Sequence, residues 1–226
     1  MVIRWLPCAV CLLLASIAAA QTTMPDATPS TQPTDDPSAM VDQSTPHGAI
    51  ELWFIVSGLN DADGIRSVLY AENPEGRRLI YALAAEADAQ RRMEAAEKTA
   101  FPTQYQDQTP EIKAALMKLI PLLSAGQETI DGDDATYTRN AQSKPIMLRR
   151  YQGRWCLPID SIFTPHDPAS LAFGQRMTDA SVRAMELGIS QIEGGKFVSL
   201  TEAQDTINNE IQESRAEAQT QPSDTQ

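Results

Sequence analysis

Apolar residues in the first half of the chain recur at the three- and four-residue spacing of helices packed on a core. The first predicted helix begins after Thr45-Pro46, where a threonine cap precedes a proline in the first turn. Asn60-Asp61-Ala62-Asp63 ends this helix and caps a short second one. Asn73-Pro74-Glu75 opens a third helix that runs to about Ala100, and a fourth follows Thr109-Pro110-Glu111. The pattern therefore predicts a succession of helices before any strand.

The apolar period then shortens to two residues, which is typical of strands. The predicted strands are Gln127 to Ile130, Ala135 to Arg139, Ile146 to Tyr151, and Arg154 to Ile159. Turn residues at Asp131-Gly132-Asp133-Asp134 and at Gln152-Gly153 favour antiparallel hairpins. Trp155, Leu157 and Ile159 share one face of the last strand, and we expect helices to cover that face.

The C-terminal part returns to the helical period. One long helix is predicted from Pro168 to about Ile192, and Gly194-Gly195 follows its end. Ser199-Leu200-Thr201-Glu202 has the Ser-x-x-Glu pattern of a capping box and begins a final helix. We therefore expect a single α+β domain over residues 46–213. In it, helices pack on a small antiparallel sheet, and residues 168–213 add a helical hairpin.

The N-terminus has the pattern of an export signal. Arg4 precedes an apolar run from Trp5 through Ala20 that ends in small residues before Gln21. A retained membrane anchor is the alternative, but the run is shorter than the roughly 20 apolar residues that span a bilayer. Lipid attachment would need a cysteine directly after the run, where Gln21 stands. We predict a signal peptide over residues 1–20 and a periplasmic or extracellular location.

Two further segments have the composition of disordered chain. Residues 21–45 carry proline at positions 25, 29, 33 and 37 among Thr, Ser, Gln and Asp, with no Lys or Arg. Such a segment has too little apolar surface to offset the entropy lost on ordering. Residues 214–226 are also polar, and we expect them to form a frayed tail.

Cleavage of the signal changes the charge and the cysteine content. The chain has 18 basic and 30 acidic side chains, so the loss of Arg4 leaves 17 basic ones and a formal charge of −13. Phosphate binding depends on Lys and Arg, so this acidity excludes nucleic acid as a partner class. No later segment is apolar for long enough to span a membrane. With Cys8 and Cys11 removed, Cys156 has no partner for an internal disulfide. We interpret Cys156 as a small apolar strand residue, with a nucleophile or an intermolecular bridge as the alternative.

Helices followed by antiparallel strands that end in a tryptophan form a familiar arrangement. The first helix carries Pro46, Ala49 and Phe54, and a turn with small residues and Asp follows at 59–63. A hairpin turn lies at 131–136. A strand pair follows at 148–155, with the pattern Leu-x-x-x-x-Gly-x-Trp. This arrangement resembles the NTF2-like superfamily, also called cystatin-like or SnoaL-like, over residues 45–163. The resemblance implies a cone-shaped domain, to which the helix over 75–100 and the C-terminal hairpin are additions. It implies little about activity, because the superfamily is functionally mixed.

Superfamily members that isomerise or cyclise small molecules use an Asp or a His that projects into the cone. The resemblance therefore implies Asp160 and His166 as candidate general bases, with Tyr81 and Tyr137 as hydrogen-bond donors. None of these residues lies in a catalytic motif that can be matched. The alternative is a solvated Asp at a strand end and tyrosines of the core or its rim.

The spacing of potential ligands predicts neither a metal site nor a cofactor. His47 and His166 have no second His or Cys at ligand spacing, so we interpret both as surface residues. The turn Asp131-Gly132-Asp133-Asp134 is followed by a strand pattern, whereas a calcium loop alternates ligands and closes with a glutamate. We therefore interpret the turn as part of a hairpin.

Three arginines, Arg149, Arg150 and Arg154, flank a tight turn. On alternating strands such charges usually face solvent, and we expect them to pair with some of the acidic side chains. A site for an anionic ligand is the alternative.

Two functions from different classes remain open on these grounds. The leading hypothesis is a non-catalytic binding or interaction module of the cell envelope. The second is a SnoaL-like small-molecule enzyme or ligand carrier. A closed apolar pocket with an Asp, His or Tyr inside would favour the second, and a cone filled by its own side chains would favour the first.

Overall fold

The computed structural model of the protein describes residues 41–123, 125–140, 143–162 and 167–220. The predicted signal peptide, the linker up to residue 40 and His166 lie outside the described residues. Within them the chain is α+β, with seven helices and one five-stranded sheet. The helices are α1 (Pro46–Gly58), α2 (Ala62–Val68), α3 (Pro74–Ala100), α4 (Thr109–Leu123), α5 (Ile159–Ile162), α6 (Pro168–Glu193) and α7 (Leu200–Thr220). The strands are β1 (Leu69–Tyr70), β2 (Gln127–Asp131), β3 (Asp134–Thr138), β4 (Ile146–Tyr151) and β5 (Arg154–Pro158).

Polar caps fix the starts of three helices. Thr45, Asn73 and Asp167 cap α1, α3 and α6, and each is followed by a proline at the start of its helix. Their side-chain oxygens accept hydrogen bonds from the backbone N–H three residues later, at 3.0, 2.6 and 2.9 Å. Each bond satisfies a donor that has no partner within the helix. The predicted starts of these helices are confirmed.

The sheet is mixed, although we predicted an antiparallel one. Strands β2 to β5 form the predicted antiparallel meander. The spatial order of the whole sheet is β1-β5-β4-β3-β2. The additional strand β1 pairs parallel to β5, with Leu69 opposite Leu157 and Tyr70 opposite Pro158. Helix α2 leads directly into this strand. A two-residue strand carries no alternation of its own, so its pairing depends on the position of α2 beside β5.

The first hydrophobic core lies between α1 and the inner face of the sheet, which is the face that the helices cover. Trp155 and Leu157 of β5 are buried there, as predicted, together with Leu148 of β4. Helix α1 is apolar on nearly all sides, and Ile50 and Ile55 are among its fully buried residues. A helix that is apolar all round is typically an interior element.

A second hydrophobic core joins three helices. Helix α3 leaves the first core and packs along α6, and α7 packs on α6. Met93 of α3, Ile189 of α6 and Ile207 of α7 are buried in this cluster. Gly188 of α6 allows the close approach of α7, because a Cβ at this position would lie 2.6 Å from Ile207 Cγ1.

The described structure extends beyond both ends of the domain that the sequence indicates. Before α1, the Gln43 side chain donates hydrogen bonds of 3.0 Å to the carbonyls of Ser67 and Trp155, and Trp155 N–H donates to the Gln43 carbonyl. Helix α7 continues past Ser214, where we expected the tail to begin, and Arg215 contacts α3 and α6. Long-range polar contacts hold both segments, and a polar composition alone does not reveal them.

Candidate functional site

The inner face of the sheet is filled by its own side chains. Tyr137 is 1% exposed, and Leu148 and Trp155 are also buried against the helices. The Tyr137 hydroxyl donates a hydrogen bond to the carbonyl of Leu123 at the end of α4. Burial raises the pKa of this tyrosine, which therefore stays protonated. Tyr137 is a core residue whose hydrogen-bonding capacity is used within the fold.

The other predicted site residues do not converge on Tyr137. Tyr81 lies on α3 with 65% of its surface exposed. Asp160 is exposed in the first turn of α5, where we expected the end of a strand. His166 lies outside the described residues. Among the residues that the structure describes, no acid, base and donor from the predicted set share one pocket.

A cleft of about 320 Å³ lies on the outer face of the sheet, opposite the first core. Its principal side chains come from β1, the loop after it, β3, β4 and α5. They are Tyr70, Glu72, Asp134, Met147, Arg149 and Asp160. We call this site the outer-face cleft. Met147, Arg149 and Tyr151 alternate along β4 and are all about half exposed, so this face is open to solvent.

Arg149 is held between two carboxylates in the cleft. Its Nη1 lies 2.9 Å from Glu72 Oε1, and its Nε lies 3.8 Å from Asp134 Oδ1. Asp160 also lines the cleft, so three carboxylates and one guanidinium leave a formal charge of −2. The expected pairing of this arginine with acidic side chains is confirmed. An anion would have to displace carboxylates to reach it, which disfavours the anionic-ligand alternative.

Two tyrosines stack at the side of the cleft. The ring centroids of Tyr70 and Tyr151 are 4.7 Å apart with an angle of 37° between the ring planes. The Tyr70 hydroxyl lies 3.4 Å from Glu72 Oε1 and can donate to it. Desolvation, followed by the negative charge of Glu72, raises the pKa of Tyr70. The phenol therefore remains a neutral donor next to a carboxylate.

The three arginines of the turn do not form one cationic patch. Arg149 belongs to the cleft, whereas the Arg150 guanidinium lies 4.7 Å from the ring centroid of Trp155 on the neighbouring strand. Arg154 is exposed at the start of β5. Arg150 thus lies over an aromatic ring, where its charge interacts with the π-system.

Cys156 is buried and unlinked, with only 4% of its surface exposed. Its thiol lies 3.9 Å from the Ser67 carbonyl, and burial raises its pKa. A raised pKa lowers the thiolate fraction, and the thiolate is the reactive form. The geometry therefore agrees with the interpretation of Cys156 as a small apolar strand residue.

The remaining candidates for metal chemistry have structural roles. His47 is partly buried rather than on the open surface, with Nε2 2.7 Å from Glu51 Oε1 and its ring 5.8 Å from that of Tyr137. The turn between β2 and β3 places Gly132 at a φ of 61°, as a tight hairpin requires. No group of three or more His, Cys, Asp or Glu side chains suited to a metal ion occurs in the described residues.

Tyr70 and Glu72 line the cleft, Tyr151 stacks on Tyr70 beside it, and none of the three was predicted as a site residue. The alternation of Met147, Arg149 and Tyr151 along β4 was the available signal, since it places three large side chains on one face. Tyr70 and Glu72 gave no such signal, because their position depends on the pairing of β1 with β5.

No helix within the described ranges is both long enough and apolar enough to cross a membrane. Comparison of the chain with protein-family models, with curated proteins and with solved structures gives no match.

Proposed function

We propose that this protein is exported and acts as a non-catalytic binding or interaction module of the cell envelope. In this proposal the core is NTF2-like, and α6 and α7 form an added helical hairpin. The secretory pattern of residues 1–20 supports the location. The proposal assigns no catalytic residue, cofactor or metal.

The observation that carries the proposal is the packing of the inner face. A SnoaL-like enzyme or carrier needs an open cone to hold its ligand, and here Tyr137, Leu148 and Trp155 occupy that space. The Tyr137 hydroxyl is hydrogen bonded to a backbone carbonyl and so is not directed at a ligand. The outer-face cleft is open instead, and its lining residues Tyr70, Met147 and Arg149 are of types that are enriched at protein interfaces.

Native mass spectrometry of the protein isolated from its own envelope fraction tests the proposal. We expect a mature chain that begins at Gln21 and retains a protein partner, without a bound small molecule. A mass that includes Met1 to Ala20 would contradict cleavage of the signal. A small molecule bound in stoichiometric amount and released only on unfolding would favour the enzyme or carrier alternative.

Two tyrosine variants locate the binding surface. Tyr151→Ala removes an aromatic side chain from the outer face, and Tyr81→Ala removes one that is exposed on α3. We expect the first variant to lose its partner in the same native spectra and the second to keep it. If both variants retain the partner equally, the partner binds at a surface other than the outer-face cleft.

A further inference from the structure

We infer that the outer-face cleft binds a lysine- or arginine-bearing segment of a protein partner. This inference rests on the proposed function, since it names the chemistry of the ligand that the binding module takes. Three features support it: the aromatic pair, the charge of the lining and the open shape of the cleft.

The aromatic pair supplies a surface that suits a cation and its alkyl chain. Tyr70 and Tyr151 stack at the side of the cleft, and Met147 on the same face is 47% exposed. Aromatic faces attract ammonium and guanidinium groups. The alkyl stem of Lys or Arg can meanwhile pack on apolar atoms of the surface. Tyrosine is also among the residues that contribute most when interfaces form.

The charge of the lining selects the sign of the ligand. Glu72 and Asp134 flank Arg149, and Asp160 adds a third carboxylate, so the cleft has a net negative charge. The mature chain as a whole is also strongly acidic, at −13. A basic segment would be attracted at long range and could share the carboxylates that hold Arg149. An acidic segment would be repelled by both.

The size and openness of the cleft favour a side chain of a polypeptide over an enclosed small molecule. A volume of about 320 Å³ is at the lower end of the roughly 300–1,000 Å³ found for ligand pockets. The surface continues beyond the cleft along β4 and β3, where Thr136 and Tyr151 are accessible. One cationic side chain can enter while the rest of the segment lies across the sheet.

The inference is tested with the mature chain and a fluorescein-labelled peptide of alternating lysine and threonine, with binding followed by fluorescence anisotropy. The comparison peptide has glutamate in place of lysine. We expect the lysine peptide to bind more tightly, and to weaken as salt is added. Circular dichroism of each variant used below establishes that it is folded.

Three variants in the cleft and at the aromatic pair beside it give different expected results. Glu72→Gln and Tyr151→Ala should each weaken the lysine peptide about fivefold, the effect of losing one ionic or cation–π contact. Arg149→Met should strengthen it about fivefold, because it removes the competing cation from the carboxylates. Two control variants remove matched groups elsewhere. They are Glu213→Gln on α7 and Tyr81→Ala on α3, both at exposed positions, and neither should change binding.

Several outcomes would overturn the inference. They are a preference for the glutamate peptide, weaker binding by the Arg149→Met variant, no binding of the lysine peptide, or equal affinity for all variants. Equal affinity for all variants would be consistent with the proposed binding function but would show that the peptide binds outside the outer-face cleft. Displacement by spermidine at equal affinity would identify a free amine as the ligand rather than a polypeptide. Chemical change of the peptide, seen by mass spectrometry, would instead contradict the non-catalytic function.

Discussion

The Arg215 guanidinium of α7 lies 3.0 Å from the Glu86 carboxylate of α3, and this pair ties the last helix to the longest one. The Arg215 Nε also donates to Ser181 Oγ of α6 at 2.6 Å, so the contact joins three helices. Both charged side chains are largely buried. Desolvation raises the pKa of Glu86, and the nearby arginine offsets this effect only in part.

A glutamate with a raised folded-state pKa makes stability depend on pH with a defined sign. The folded state holds the proton more tightly than the unfolded state, where the ordinary value is 4.5. The contribution of Glu86 to stability is therefore complete below pH 4.5 and is lost as pH rises through the folded-state pKa. Glu86→Gln removes this dependence, so its free energy of unfolding relative to wild type should increase with pH.

Urea unfolding of wild type and the Glu86→Gln variant over the range from pH 4.5 to neutral measures this difference. Glu213→Gln, which removes an exposed carboxylate from the same helix, provides the comparison. A difference between wild type and Glu86→Gln that stays constant or falls with pH would show that Arg215 dominates the titration of Glu86.

The contact between Gly188 and Ile207 sets the distance between α6 and α7. An added methyl group at Gly188 would lie 2.6 Å from Ile207 Cγ1, and Ile207 is fully buried. Gly188→Ala should destabilise the protein by about 1–3 kcal/mol through overpacking. The better helix propensity of alanine should offset up to about 1 kcal/mol of this cost.

A second glycine of α6 supplies the control for that prediction. A Cβ at Gly174 would lie 3.4 Å from Leu79 Cδ2, which is an ordinary contact, so Gly174→Ala should be neutral or stabilising by up to about 1 kcal/mol. In a double-mutant cycle, Gly188→Ala and Ile207→Ala should together cost about 1 kcal/mol less than the sum of the single variants. Additive costs would show that the two helices do not meet at this point.

The helices and the meander could be predicted because local chemistry specifies them. Thr45 and Asn73 are N-cap residues followed by prolines in the first helical turn, and together they indicate where the helices begin. Turns that contain glycine separate strands with a clear alternation of apolar and polar residues. Strand β1 could not be predicted, since Leu69-Tyr70 forms a strand only because β5 lies beside it. The length of α7 was also hidden, because Arg215 stabilises it through residues far away in the chain.

The candidate site was less predictable than the fold, for a related reason. Glu72, Asp134 and Arg149 come from separate parts of the chain and meet only through the pairing of β1, β5, β4 and β3. Four residues are implied by the family resemblance, and the structure describes three of them: Asp160 lines the cleft, Tyr137 belongs to the core, and Tyr81 is exposed on α3. Residue type indicates which side chains can do chemistry, and packing decides which of them are available.

The Tyr137 hydroxyl stabilises the end of α4. It donates to the Leu123 carbonyl in the last turn of the helix, which also accepts a hydrogen bond of 3.1 Å from the Gly126 N–H. Tyr137→Phe removes one of these two donors and leaves the carbonyl with the Gly126 N–H alone, so it should cost about 0.5–1.5 kcal/mol in the free energy of unfolding. Tyr81→Phe removes a hydroxyl from an exposed ring and should change stability little. Equal stability of wild type and Tyr137→Phe would contradict the role assigned to this bond.

The reactivity of the Cys156 thiol measures how well the folded protein excludes a reagent from this part of the sheet. Cys156 is the only cysteine after residue 20, it is 4% exposed, and burial raises its pKa. A disulfide reagent such as DTNB should therefore label the native protein only as fast as the protein opens. In urea the same thiol should react at once and in stoichiometric amount.

An exposed thiol separates slow chemistry from restricted access in that experiment. In a protein produced from Gln21 onward, Glu213→Cys in a Cys156→Ala background places the only thiol at an exposed position of α7, and it should react rapidly in the native state. Labelling of native wild type at a rate close to this control would mean that Cys156 is accessible and able to act as a nucleophile. Labelling that follows the unfolding rate, and accelerates with urea as unfolding does, would confirm that the folded structure shields Cys156.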